Sequence, residues 1–200
     1  MLLFINACVR ADSRTKRLAD CLLSALGEPA EELRLAELSL PPVDAAFLDR
    51  RDQLLAEGNY DHPMFDLARQ FAGADGIVIA APFWDLSFPA VLKAYLEQIN
   101  VVGVTFRYTP EGVPVGLCRA DRLWYVTTVG GDFFPENYGF GYVEALAKGF
   151  YGISQVELIR ATGLDLVSAD VEAILRESER EIARRFQSGG ERAGGEAELC

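Results

Sequence analysis

Three short segments of this chain carry side chains that bind phosphate or planar aromatic ligands. Residues 8–15 contain two hydroxyl side chains and two arginines, residues 82–85 join two aromatic side chains to an aspartate, and residues 127–131 end in two glycines. Each segment follows a short apolar run that is typical of a buried strand. Loops at the carboxyl ends of parallel strands form nucleotide or flavin sites in open α/β sheets. The sequence therefore predicts that the three segments converge on one ligand.

The first segment predicts an anion site at the start of a helix. Ser13 and Thr15 offer hydroxyl groups, and the first turn of a helix has unpaired backbone N–H groups. Arg10 and Arg14 add positive charge. The segment has neither the Gly-x-Gly-x-x-Gly pattern of a Rossmann dinucleotide site nor the Gly-Lys-Ser/Thr of a P-loop. The alternative to phosphate binding is that Ser13 or Thr15 only caps the helix.

Short apolar runs alternate with longer amphipathic runs along the chain. Strands are expected at residues 2–5, 32–35, 76–81, 123–127 and 155–159. Helices are expected at residues 15–26, 64–71, 88–101, 142–150 and 171–186, with a shorter helix near 47–55. Residues 105–108 and 113–115 predict a hairpin whose turn lies at 110–112.

This alternation predicts an α/β fold with a parallel sheet covered by helices on both faces. Five strands favour a flavodoxin-like three-layer sandwich with the strand order 2-1-3-4-5 and a hairpin-like insertion before the fourth strand. The ligand would then lie at the switch point between strands one and three. Residues 1–187 are expected to form this single domain, and residues 188–200, rich in glycine and charge, are expected to form a disordered tail.

Composition limits the classes of partner. The 200 residues are half apolar and carry a formal charge of -11, which argues against nucleic acid because such proteins neutralise phosphates with Lys and Arg. Four cysteines without a Cys-x-x-Cys pair, and a single histidine, His62, do not predict a metal site. Free thiols are typical of the cytoplasm. No run is long enough to span a membrane, and the first residues fit a strand better than a signal peptide.

Beyond these patterns, the chain resembles the flavodoxin-like, FMN-dependent NAD(P)H:quinone oxidoreductases and azoreductases. The resemblance is strongest over residues 79–95 and 103–108, and it extends to the helix start at 13–18 and the loop at 127–131. It implies a homodimer with FMN in a cleft at the subunit interface. It also implies ping-pong hydride transfer from NADH or NADPH through flavin N5 to a planar quinone or azo compound, with no catalytic side chain.

The resemblance assigns flavin contacts to all three loops. The first loop would hold the FMN phosphate, the second would run along the isoalloxazine ring, and the third would line the ring's other side. The residues expected to bind FMN are Arg10, Ser13, Arg14, Thr15, Pro82, Phe83, Trp84, Asp85, Thr128, Val129, Gly130 and Gly131. From its position before the fourth strand, the hairpin would cover the flavin, with Phe106 and Tyr108 bordering the substrate pocket, and Phe133 would add to an aromatic wall of that pocket. The alternative for these aromatic side chains is packing alone, under a surface excursion or in the core. The two glycines would let main-chain N–H groups approach the ligand, or serve only a tight turn.

Two positions depart from the family's pattern. Asp85 stands where asparagine is usual, and Cys8 stands near a usual serine. A carboxylate close to the flavin would oppose its reduction by charge repulsion, whereas Cys8 is expected to pack as a small apolar residue. Three alternative functions stay open: a flavodoxin-like electron carrier, a flavin reductase that uses FMN as a diffusible substrate, and a cofactor-free binding protein.

Overall fold

The computed structural model describes residues 1–186, so the expected tail at 188–200 lies outside the described residues. The strands are β1 Leu2–Asn6, β2 Ala30–Arg34, β3 Gly76–Ala80, β4 Phe106–Tyr108, β5 Pro114–Gly116, β6 Arg122–Thr128 and β7 Gln155–Ala161. The helices are α1 Arg14–Leu26, α2 Ala45–Ala56, α3 Asp66–Gly73, α4 Ala90–Ile99, α5 Phe140–Leu146 and α6 Val171–Phe186. Among residues 1–186, no helix combines the length and apolar character needed to cross a bilayer.

Five strands pair in parallel in the order β2-β1-β3-β6-β7, and β4 and β5 form a separate antiparallel hairpin. This confirms the expected order 2-1-3-4-5 and the insertion before the fourth sheet strand. Successive side chains of a strand point to opposite faces of the sheet. In β1, accordingly, Leu3 and Ile5 belong to one core cluster, and Leu2 and Phe4 to the other.

Each face of the sheet is covered by its own set of helices. α1 and α6 cover one face, where Leu18 and Ile182 pack against side chains of the central strands. α3, α4 and α5 cover the other face, where Phe71, Tyr95 and Val143 are buried. Because both faces of the central strands are buried, their sequences read as continuous apolar runs.

The element boundaries differ from the expected ones where proline or strand pairing sets the end. Pro63 starts a short 3-10 turn that His62 caps through Nδ1, so α3 begins only at Asp66. α4 begins after Pro89. β7 continues to Ala161 because seven of its residues pair with β6, and this pairing leaves no trace in the apolar pattern.

The hairpin of β4 and β5 packs closely against the segment that follows α5. Residues Ala147–Tyr151 form a π-helical turn that ends at Gly152 in the left-handed conformation. A Cβ atom added to Gly116 would lie 2.2 Å from the backbone nitrogen of Gly152. The hairpin is therefore seated on this turn, backbone against backbone.

Candidate functional site

A cleft of about 280 Å³ opens at the carboxyl ends of β1, β3, β6 and β7. It lies where the strand order reverses between β1 and β3, which is the usual ligand position in open α/β sheets. Its walls come from the three loops singled out in the sequence and from the loop after β7. The expected residues that line it are Arg10, Ser13, Arg14, Thr15, Pro82, Phe83, Trp84, Thr128, Val129 and Gly130.

The first loop leads into α1 through a serine cap. Ser13 has extended backbone angles, and its Oγ accepts a hydrogen bond from the Lys16 N–H at 3.3 Å. The backbone N–H groups of Arg14 and Thr15, in the first turn, have no intrahelical acceptor. Ser13 therefore caps α1, as the alternative to phosphate binding required. The cap still leaves backbone donors at the cleft, where the helix dipole favours an anion.

Two hydroxyls, one buried and one half-buried, join the first loop to the third. Thr15 is 1% exposed, and its Oγ1 lies 2.6 Å from Oγ1 of Thr128, the last residue of β6. Either hydroxyl can donate in this pair. The hydrogen bond fixes the start of α1 against the end of β6 at the base of the cleft.

The second loop contains a tight turn with an unusual backbone. Trp84 and Ser87 exchange two backbone hydrogen bonds, of 3.0 and 2.8 Å, around Asp85 and Leu86. Asp85 has φ 50° and Leu86 has φ 68°, which is the pattern of a type I′ turn. Such turns favour Asn-Gly, so leucine here costs on the order of 1 kcal/mol in backbone strain. Ser87 Oγ donates to the carbonyl of Tyr138 at 2.7 Å and braces the turn.

A fourth loop, after β7, completes the cleft and was not anticipated from the sequence. Leu164 N–H donates to the Val129 carbonyl at 3.2 Å, and Asp165 N–H donates to the Gly130 carbonyl at 2.7 Å. Leu164 and Asp165 therefore line the cleft beside the third loop. The sequence does contain a signal for this loop, because the loop also follows the carboxyl end of a parallel strand and contains a glycine, Gly163. In the structure this glycine has positive φ.

The basic side chains near the first loop differ in their pairing. Arg14 pairs with Asp165 at 2.7 Å and Lys16 with Asp20 at 2.8 Å. Arg10 is exposed at the cleft, and within residues 1–186 it makes no ion pair. The cleft therefore presents single cations and backbone donors rather than a broad basic surface.

Arg17 fastens α1 to α6. Its guanidinium contacts the carboxylates of Glu172 and Glu179, each at 2.7 Å. The hydrogen bond from Arg17 lowers the pKa of Glu172 to about 2. The helix whose first turn forms part of the cleft is thereby held to the last helix described.

Cys8 has the packed role that the sequence favoured. Its thiol is half-buried, lies 3.8 Å from the carbonyl of Ala80, and does not line the cleft. Burial raises the pKa of the Cys8 thiol, so the protonated form predominates at neutral pH. Within residues 1–186, no group of three or more His, Cys, Asp or Glu side chains has the arrangement of a metal site.

Five expected site residues do not line the cleft. Asp85 and Gly131 belong to the cleft loops but lie just beyond the lining residues, and Phe133, farther along the third loop, is 71% exposed. Phe106 and Tyr108 lie on the hairpin, which packs on the π-helical turn. The Phe106 ring contacts Phe150 at 4.8 Å between centroids. Within one chain, the hairpin residues are therefore not brought to the cleft.

The structure gives a reason for the glycine at position 130 that the sequence does not reveal. A Cβ atom at this position would lie 2.3 Å from Oδ2 of Asp165. Its φ angle is not in the left-handed region, in contrast to that of Gly163. The missing side chain at 130 thus makes room for a carboxylate.

Comparison with known proteins adds independent information. A family model described as "Flavodoxin-like fold" matches residues 1–186. The chain is 38% identical over 200 residues to an FMN-dependent NADH:quinone oxidoreductase 2 of Clostridium acetobutylicum, covering 92% of this chain and 98% of that protein. It is 35% identical over 191 residues to an FMN-dependent NADH:quinone oxidoreductase of Clostridium beijerinckii, covering 90% and 96%. A crystal structure of an azoreductase from Bacillus anthracis is similar with a TM-score of 0.80 at 26% identity, covering 94% and 98%.

The hydroxyl pair at the base of the cleft yields a stability prediction. Thr15→Val and Thr128→Val should each lower the free energy of unfolding by about 1 kcal/mol, because each leaves the other hydroxyl without its partner. The double variant should lose less free energy of unfolding than the sum of the losses in the two single variants. Urea denaturation of the ligand-free protein measures all three. Ser24→Ala, which removes an exposed hydroxyl from α1, should change stability by less than about 0.5 kcal/mol. Additive losses would show that the two hydroxyls do not interact.

Proposed function

The chain belongs to the flavodoxin-like family of FMN-dependent NADH:quinone oxidoreductases, and we propose that it holds FMN in the cleft and passes two electrons from a nicotinamide to a planar acceptor. The observation that carries this proposal is the convergence of helix-start donors and aromatic side chains at the switch point between β1 and β3. That combination suits a ligand with a phosphate at one end and a flat ring at the other.

The phosphate end of FMN would lie at the start of α1. The residues there are Ser13, Arg14 and Thr15, whose hydroxyls, backbone N–H groups and guanidinium are the donors that a phosphate requires. Arg10, at the same end, adds a positive charge without an ion-pair partner among residues 1–186. These donors fit the group even though the chain as a whole is acidic.

The ring end of FMN would lie between the second and third loops. Pro82, Phe83 and Trp84 form one wall, and the other contains Val129, which is 2% exposed. Phe83 is held by its N–H donating to the Thr128 carbonyl at 3.2 Å and by an edge contact with Phe134 at 4.9 Å. A slot with fixed walls of this kind orients a planar ligand at little entropic cost.

Bound FMN would supply the electron chemistry, namely the transfer of hydride at its N5 position from NADH or NADPH to a quinone or an azo compound. The chain's residues contribute orientation and electrostatics. Because the donor and the acceptor are both flat, the open side of the same cleft would receive them in turn, which is a ping-pong order. We assign no side chain to acid–base chemistry, because the cleft is open to solvent that can supply protons.

We also propose that the protein acts as a homodimer. Four large apolar side chains on or beside the hairpin are exposed in the single chain: Val102, Tyr108, Val113 and Leu117. Exposed apolar groups clustered in this way are typical of an interface. A second copy would bury them, and it would give Tyr108 a cleft to cover, because this side chain does not reach the cleft of its own chain.

The first prediction from the proposed function is spectroscopic. The purified protein, incubated with FMN and passed through gel filtration, should retain flavin absorption bands that bleach on anaerobic addition of NADH and return on addition of menadione, a simple quinone. Retained flavin that neither NADH nor NADPH bleaches would indicate an electron carrier. Turnover only with added free FMN would indicate a flavin reductase, and no uptake of FMN would indicate a cofactor-free protein.

A second prediction concerns Asp85. Asp85→Asn should raise the reduction potential of bound FMN, on the order of tens of millivolts, because it removes a negative charge near a ring that gains negative charge on reduction. Asparagine also tolerates positive φ, so the turn should persist. A redox titration against a reference dye measures the change, with Asp52→Asn on α2 as a distant control. An unchanged potential in the Asp85 variant would mean that this carboxylate does not face the ring.

A third prediction tests the dimer. Light scattering after gel filtration should give twice the 22.0 kDa chain mass. Val113→Asp should shift the protein toward monomer, because a charge replaces an apolar group at the proposed interface. Val167→Asp is the matched control, since Val167 is also exposed but lies outside the hairpin. A monomeric wild-type protein, or equal effects of the two variants, would contradict this assignment.

A further inference from the structure

The loop after β7 brings a carboxylate to the end of the cleft that contains the start of α1. Arg14 Nη1 donates to Asp165 Oδ1 at 2.7 Å and to the Leu164 carbonyl at 3.3 Å. Two acceptors from one loop thus hold the same nitrogen of the guanidinium. Arginine presents five N–H donors in a rigid plane, so fixing one nitrogen orients the whole group.

The position of the Asp165 carboxylate is set by the backbone. Asp165 N–H donates to the Gly130 carbonyl at 2.7 Å. The carboxylate occupies the space that a side chain at 130 would fill, with Oδ2 only 2.3 Å from a Cβ built there. A side chain at position 130 would therefore displace this carboxylate from its position beside Arg14.

The Arg14 guanidinium keeps donors for a ligand. Nε and Nη2 of Arg14 have no acceptor within the part of the chain that the structure describes, residues 1–186. The ion pair itself is open to solvent, with side-chain exposures of 41% for Arg14 and 68% for Asp165. Exposed pairs of this kind add little to stability. Its consequence is instead the orientation of the guanidinium at the cleft.

We propose that Asp165 is a positioning residue, which acts through Arg14 to strengthen the binding of a flavin that carries a phosphate. The proposal rests on the proposed function, in which the FMN phosphate lies at the start of α1. It assigns a favourable role to a carboxylate that has the same sign of charge as the phosphate. Gly130 contributes to the same positioning, because its lack of a side chain leaves room for that carboxylate.

The direction in which removal of Asp165 changes FMN binding separates this role from simple charge repulsion. If Asp165 acted only as a negative charge, its removal would strengthen the binding of the phosphate. If Asp165 orients Arg14, its removal weakens that binding, because the guanidinium loses its fixed position. Riboflavin, which lacks the phosphate, should be insensitive in either case.

The experiment is a fluorescence titration of the full-length protein with FMN and, separately, with riboflavin. Asp165→Asn is expected to weaken FMN binding about fivefold, the scale of one ordinary hydrogen bond, and to leave riboflavin binding unchanged. Gly130→Ala should reproduce this result without altering any charge, because the added methyl displaces the carboxylate. In an Arg14→Gln background, Asp165→Asn should no longer weaken FMN binding.

Gly73→Ala, at the end of α3, is the matched control for the glycine change, because no atom lies within 4 Å of the added methyl. Tighter FMN binding by Asp165→Asn, or equal losses for FMN and riboflavin, would overturn the positioning role alone. The same holds if Gly130→Ala binds FMN as the wild type does. A wild-type protein that binds FMN no better than riboflavin would overturn the phosphate site in the proposed function, and this inference with it.

Discussion

The hydrogen-bond ladder of the parallel sheet continues past the ends of its strands, and the placement of every cleft loop depends on that continuation. The donor and acceptor pairs are Ala7 to Ala80, Ala81 to Val126, Phe83 to Thr128 and Val129 to Ala161, with distances between 2.9 and 3.2 Å. Each of the first three loops therefore leaves the sheet with its first backbone N–H already bonded to the neighbouring strand, whereas the fourth loop bonds to the third through Leu164 N–H and the Val129 carbonyl. A loop anchored in this way can present side chains at fixed positions even when those side chains are exposed.

Local donors, rather than net charge, make the cleft suitable for an anion. The chain carries a formal charge of -11, and the basic side chains of α1 are paired with acids: Lys16 with Asp20, and Arg17 with Glu172 and Glu179. What remains for a ligand is the first turn of α1, with its backbone N–H groups, and the guanidinium groups at the cleft. In the proposed function, this arrangement holds one correctly placed phosphate without attracting polyanions in general.

Most of the fold could be predicted from the sequence, because buried strands and amphipathic helices have different apolar periods. The end of β7 could not, because it is set by pairing with β6 rather than by local pattern. The loop residues of the site were predictable from their position after strands. The contact of Asp165 with Arg14 was not, since it joins residues that are 151 positions apart in the sequence. Nor was the location of Phe106, because the seating of the hairpin is a tertiary contact.

The ion pairs between α1 and α6 have a consequence for biosynthesis. α1 is among the first elements to leave a ribosome, but Arg17 finds its carboxylate partners only on α6, and the loop that carries Asp165 follows the last strand. The nascent chain can form β1 and α1 early, yet it cannot complete the cleft until the loop after β7 has emerged. The last wall of the cleft is therefore added late in synthesis, and a chain truncated before α6 would expose the apolar face of α1.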